Sequence, residues 1–228
     1  MVTLALRTWL RYLVPLTLLA AIALAPVIAI ALRMRAPVDP AGARAVVAAG
    51  WGLIAIAALG QLVLVGGAAG ILRARPPQAL QVSQPSQLRA FGAGLVQLVR
   101  AVVPCLAAAA TIAIGGLALV VPGLVLLVLL ALTGASPVRG VPAALADSIA
   151  AARTRLWAVA LAVAAMLAID VAIGVAAQRA FVVPLSRPPA PAQLAQVRLF
   201  VRVVVIALIV ASPLPATVLA TIRTRAAP

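Results

Sequence analysis

Long apolar runs dominate the chain, separated by short segments that carry arginine, proline and glutamine. A helix crossing a bilayer needs about 20 mainly apolar residues. Six stretches are candidates, roughly 12–32, 45–72, 97–120, 122–138, 156–178 and 199–221. The pattern predicts an all-α, polytopic membrane helix bundle of six transmembrane helices, a single integral membrane domain over residues 1–228. Between Arg100 and Arg139 lie 38 residues, too many for one crossing and enough for two short ones. The break is expected at Val121-Pro122-Gly123, because proline lacks a backbone donor and glycine tolerates a tight turn. The other reading of this stretch is one long kinked helix with a re-entrant end. Pro15 and Pro26 in the first span, and Pro213 and Pro215 in the last, are expected to kink those helices.

Two further segments have an amphipathic period. One starts at Ser86, a candidate N-cap after Pro85, with Leu88, Phe91, Leu95, Leu98 and Val102 on one face and Arg89, Gln97 and Arg100 on another. The other follows Pro142, which suits a first helical turn. Leu145, Ile149, Ala152 and Leu156 form its stripe, with Asp147, Ser148, Arg153 and Arg155 outside it. Asp147 near its start and the arginines near its end would complement the helix dipole. Such helices place Arg89, Arg100, Arg153 and Arg155 at the interface, where anionic lipid headgroups attract them. They either lead into the spans or form a docking surface for a protein partner on the cytoplasmic face. Trp9, Tyr12 and Trp157 fall near the expected interfaces and read as belt anchors.

Composition removes most chemistry. The chain is 66% hydrophobic and 9% charged, against about 45–50% and about 25% in soluble domains. Too little polar surface exists to coat a water-soluble globule. All 18 basic residues are arginine, against three aspartates and no glutamate or histidine, for a net charge of +15. That inventory excludes a Ser-His-Asp triad, a glycosidase pair, a zinc site, a Walker A loop and a Schiff base. No enzyme activity and no cofactor is expected. With the N-terminus inside, eleven arginines lie on the inner side and seven on the outer, so the positive-inside rule gives an N-in, C-in topology. Nearly every arginine sits at a boundary or in a short loop, so the charge reads as topology and lipid contact rather than nucleic-acid binding. The first apolar run exceeds the about 7–15 residues of a signal-peptide core and reads as a signal anchor. Cys105 lies in the third span and is expected to pack as a small apolar residue. The all-arginine, alanine-rich usage also fits a GC-rich bacterial genome.

The segment Gly115 to Gly123, ending Val120-Val121-Pro122-Gly123, with Ala144-Leu145-Ala146-Asp147-Ser148 and Trp157 downstream and Ile222-Arg223-Thr224-Arg225 at the end, resembles one bacterial group. That group is the membrane domain of glycerophosphoryl diester phosphodiesterases and related six-helix membrane proteins. The matching positions are Pro122, Gly123, Ala144, Leu145, Ser148, Arg223 and Arg225, and the similarity covers roughly residues 95–225. Ser136-Pro137-Val138-Arg139-Gly140 keeps only the glycine of the family's acidic-glycine element, Asp147 stands where the family is commonly basic, and Ala220-Thr221 replace an aromatic-acidic pair. The resemblance implies a six-helix module of the bacterial inner membrane. In fused members a separate soluble barrel carries hydrolysis, using acidic and histidine residues that this chain does not possess.

Asp170, near the middle of the fifth span, is the one carboxylate inside a predicted span. A charged aspartate at a helix centre costs about 2.5–3.5 kcal/mol on insertion scales. Depth alone suggests two partners, Gln61 in the second span and Arg202 near the outer end of the last. Asp170 either fixes helix register as a paired or protonated group, or couples a proton or cation to transport. Gly66-x-x-x-Gly70 has spacing for close helix contact, read as packing within the bundle in preference to dimerisation. Three functional classes follow. The chain is an anchoring or scaffold module for a partner, a small transporter or permease subunit for a lipid-like or hydrophobic solute, or, least supported by its acid-base inventory, an enzyme on lipid headgroups.

Overall fold

The computed structural model describes residues 2–34, 40–74, 87–137, 140–181 and 191–226, and every regular element among them is helical. In order they are α1 (Val2–Arg11), α2 (Leu13–Ala23), α3 (Ala25–Arg33), α4 (Pro40–Arg73), α5 (Gln87–Ala118) and α6 (Val120–Leu130). A 3₁₀ turn (Thr133–Ala135) follows, then α7 (Val141–Thr154), α8 (Leu156–Phe181), α9 (Pro191–Ala211) and α10 (Pro213–Ala226). Four helical spans are long and apolar enough to cross a membrane: Ala41–Arg73, Gln87–Leu117, Leu156–Phe181 and Gln196–Thr224. A fifth follows if the bent pair Ala5–Arg11 and Leu13–Ala23 is taken as one span.

Proline explains the breaks. The helix pair α1 and α2 bends by 88° at Tyr12. Pro15 has no N–H to give the Arg11 carbonyl, and its ring crowds that carbonyl. The side chain of Gln87 takes over, its Nε2 donating to Arg11 O at 3.0 Å. The expected span 12–32 is divided at Leu24, two residues before Pro26, leaving α2 and α3 with 11 and 9 residues. Ser212 divides α9 from α10 just ahead of Pro213 and Pro215. The break between the third and fourth expected spans falls at Leu119, in extended conformation, three residues ahead of Pro122. Pro122 sits in the first turn of α6, where its missing donor leaves no intrahelical bond unmade.

The expected fourth span, 122–138, is shorter than drawn from sequence. The 11 residues of α6 give about 16 Å at 1.5 Å each, and the 3₁₀ turn extends it. The segment nevertheless folds back along α5 as a hairpin. A Cβ placed on Gly123 would lie 2.7 Å from Gly116 Cα, and at the other end Gln97 Nε2 donates to Ser136 O at 3.2 Å. Only glycine permits the approach at Gly123.

The spine is α4, 67% of whose apolar window is buried, against 22% for α5. Tyr12, Leu16, Leu19, Leu62, Leu64, Ile71, Leu132, Met166 and Leu219 fill the main core. Gly66 and Gly70 face inward: a Cβ on Gly66 would stand 2.5 Å from Gly134 O, and one on Gly70 would stand 2.6 Å from Ala93 O. Cys105 is buried and unpaired in the same core. Outside, Leu117, Trp157, Val120 and Leu161 are 70–88% exposed, a surface suited to hydrocarbon and not to water.

Several sequence expectations are corrected here. Tyr12 is 2% exposed and belongs to the core, not to an interfacial belt. Proline starts α7 as expected, but its buried face is Ala144, Ser148, Ala151 and Ala152, rotated from the Leu145–Ile149–Ala152–Leu156 stripe. Leu156 is 44% exposed. As expected of the first amphipathic segment, α5 leads from Gln87 straight into the third span, unbroken through Pro104. The Ser86 cap lies outside the described residues.

Candidate functional site

Polar side chains gather at two levels of the bundle. The deeper group joins α4, α8 and the α9–α10 break. Gln61 Nε2 donates to Asp170 Oδ1 at 2.9 Å and to Ser212 Oγ at 3.0 Å. Ser212 Oγ in turn donates to Leu208 O at 2.5 Å. Relative exposures are 1% for Gln61, 2% for Asp170 and 1% for Ser212, so the group is buried. Gln61 lies 12 residues from Arg73 and Ser212 lies 11 from Arg223. At 1.5 Å per residue those separations are about 18 and 17 Å, close to half the about 30 Å hydrocarbon thickness. Gln61 Oε1 and Asp170 Oδ2 are buried without a hydrogen-bond partner.

Sequence depth thus identified the Asp170–Gln61 pair and missed Ser212, which carried no signal beyond preceding Pro213. Arg202 is not part of the group. It lies half-buried in α9 with an unpartnered Nε, and no ion pair joins it to Asp170. Arg202 is ten residues along α9 from Ser212, about 15 Å, so it lies well away from the level of Asp170, nearer the end where Phe200 packs on Gly50.

The second group sits at the end of the bundle where α4 and α10 finish and α5 begins. Arg223 Nη2 donates to both oxygens of Asp147, each at 2.8 Å, and Ser136 Oγ donates to Asp147 Oδ2 at 2.7 Å. Arg223 is 6% exposed. Asp147 lies two turns into α7, beyond reach of the helix start, so its charge serves Arg223 instead of the α7 dipole. Three carbonyls at the end of the hairpin are met by side chains, two of them from neighbouring elements. Ser148 Oγ donates to Leu129 O at 2.9 Å, Thr133 Oγ1 to Leu130 O at 2.7 Å, and Arg73 Nη2 to Ala135 O. Unpaired carbonyls at a buried helix end would otherwise be costly. Ser148 and Arg223, from two separate motif positions, therefore meet in one structure around the turn. Ala144 is buried on the same face of α7, Leu145 is half-buried, and Pro122 and Gly123 lie at the far tip of the hairpin. Arg225 is in α10, and its side chain lies outside the described residues.

Arg73, Gln97 and Ser136 were not singled out as site residues by sequence. Nothing in the local pattern separates them from other boundary residues. Of the interfacial arginines, Arg89, Arg100 and Arg153 are exposed, while Arg155 is half-buried at the α7–α8 junction. At the other end of the bundle Trp51 Nε1 donates to Gln178 Oε1 at 3.0 Å. Among the described residues no group of three His, Cys, Asp or Glu could hold a metal ion. The one hydroxyl set against a carboxylate, Ser136 on Asp147, shares it with Arg223, which engages both oxygens. The chain matches no family model, no curated protein and no solved structure.

Proposed function

We propose that the protein is a non-catalytic, multi-pass module of a bacterial inner membrane that anchors or scaffolds a partner on its cytoplasmic face. The observation that carries this reading is the buried clasp at mid-depth. Asp170, Gln61 and Ser212 tie three parts of the bundle together, each no more than 2% exposed. A neutral or hydrogen-bonded carboxyl in such a place fixes helix register.

Six crossings with both termini inside are supported by which ends meet. Arg11, Gln87, Arg73, Ser136, Asp147 and Arg223 belong to one connected end of the bundle. That arrangement suits α2–α3, α4, α5, α6 with its turn, α8 and α9–α10 as successive passes, with α1 and α7 at the interface. The resemblance to the six-helix membrane domain of glycerophosphoryl diester phosphodiesterases points the same way, without its hydrolase activity.

A transport reading has one observation in its favour, the unpartnered Asp170 Oδ2 and Gln61 Oε1. Asp170→Asn separates the two. It keeps an acceptor for Gln61, so a scaffold keeps its membrane level, its partner and its cellular phenotype. Normal assembly with the phenotype lost would favour a coupling carboxylate instead.

A further inference from the structure

Two cavities of ≈ 390 Å³ each adjoin at the end of the bundle that holds Arg223. One is lined by Gly70, Arg73 and Gly92, and the other by Gly134, Ser136 and Gly140. Both share Gln97 and Arg100. Together they form a groove between α4, α5, the 3₁₀ turn and the start of α7. Its floor is held in place, because Gln97 Nε2 and Arg73 Nη2 both bond carbonyls of the 133–136 turn. Gly140, at φ +93, and Gly92 leave open space where a side chain would stand.

The charge in this corner is unbalanced. Among the described residues, Arg73, Arg100 and Arg223 lie at this end with one carboxylate, Asp147, which Arg223 already engages through both oxygens. Arg100 makes no hydrogen bond or ion pair with a described residue. Beside it on α5, Val96, Val99 and Val103 are 52–61% exposed, so the groove opens onto a strip suited to an acyl chain. A guanidinium pair next to hydrocarbon matches an acidic headgroup on a membrane-embedded tail.

We propose that this groove binds the phosphate of one anionic phospholipid, held by Arg73 and Arg100, with the acyl chains along the exposed valines of α5. The assignment is independent of how Asp170 is read.

The test uses the full chain in nanodiscs of phosphatidylcholine with added phosphatidylglycerol, with bound lipid read by native mass spectrometry. Phosphatidylglycerol should be retained in preference to phosphatidylcholine. R73Q/R100Q should weaken that preference about 30-fold (about 2 kcal/mol), while R7Q/R179Q, which removes the same charge from exposed positions, leaves it nearly unchanged. Gly92→Leu, a good helix former that fills the groove, should abolish retention without lowering thermal stability. Equal retention of the two lipids, equal losses in both double variants, or full retention in Gly92→Leu would overturn the proposal. So would displacement of phosphatidylglycerol by inorganic phosphate alone, which would make the ligand a soluble anion.

Discussion

Removing the Asp147 carboxylate gives the sharpest energetic expectation. Asp147→Ala strips Arg223 of both its 2.8 Å contacts and Ser136 of its acceptor. Breaking a fully buried pair from one side costs about 3–5 kcal/mol, because the remaining charge stays desolvated. Here the Arg223 side chain is 8% exposed and Asp147 22% exposed, so water reaches the carboxylate side and about 2–3 kcal/mol is expected. Replacing both partners by apolar residues, as in D147L/R223M, should recover most of that loss, because no unpaired charge is left. The measurement is reversible unfolding in mixed micelles for the wild type, both single variants and the double. A coupling energy of about 2 kcal/mol is expected from the cycle. A single-variant loss below about 0.5 kcal/mol, the level of exposed pairs, would refute the reasoning, since it would place the pair in solvent.

Other expectations follow from the same geometry. Gly66→Ala puts a methyl carbon 2.5 Å from Gly134 O and 2.7 Å from Ala101 Cβ. It should cost about 1–3 kcal/mol by overpacking, read in the same unfolding assay. Ser148→Ala leaves the part-buried Leu129 carbonyl without its 2.9 Å donor and should cost about 1 kcal/mol. A cycle between Asp170 and Arg202 should give a coupling below about 0.5 kcal/mol, because the two do not meet. Asp170→Leu, by contrast, should destabilise by about 1–2 kcal/mol, the upper range for hydrogen bonds between membrane helices.

How far the sequence could be read depends on what kind of information each feature carries. Apolar run length identified α4, α5, α8 and the α9–α10 span, since crossing a bilayer demands length above all. Proline positions foretold the breaks in the first and last spans. They misplaced the one near Pro122, because proline is tolerated in a first turn and the chain breaks ahead of it. Depth paired Asp170 with Gln61. It also suggested Arg202, because height was counted from the expected span end near 199, whereas α9 begins at Pro191 and carries Arg202 about 15 Å from the level of Ser212 and Asp170. The Asp147–Arg223 pair spans 76 positions, and each partner alone looks like an ordinary boundary charge. Only the folding of α7 against the hairpin and α10 brings them together. Tyr12 misled for a related reason: an aromatic near an interface can face lipid or core, and the 88° turn between α1 and α2 rotates it inward.

The central claim is that the Asp170–Gln61–Ser212 clasp is dry and structural. Ser212→Cys in a Cys105→Ala background places a thiol of nearly the same size at its heart. A membrane-impermeant methanethiosulfonate reagent should then label Arg153→Cys, an exposed control, to completion while Ser212→Cys stays unmodified from either side of the membrane. Labelling of Ser212→Cys on the timescale of the control, in protein that unfolds like the wild type, would mean that water reaches Asp170, and the scaffold reading would give way to a transport path.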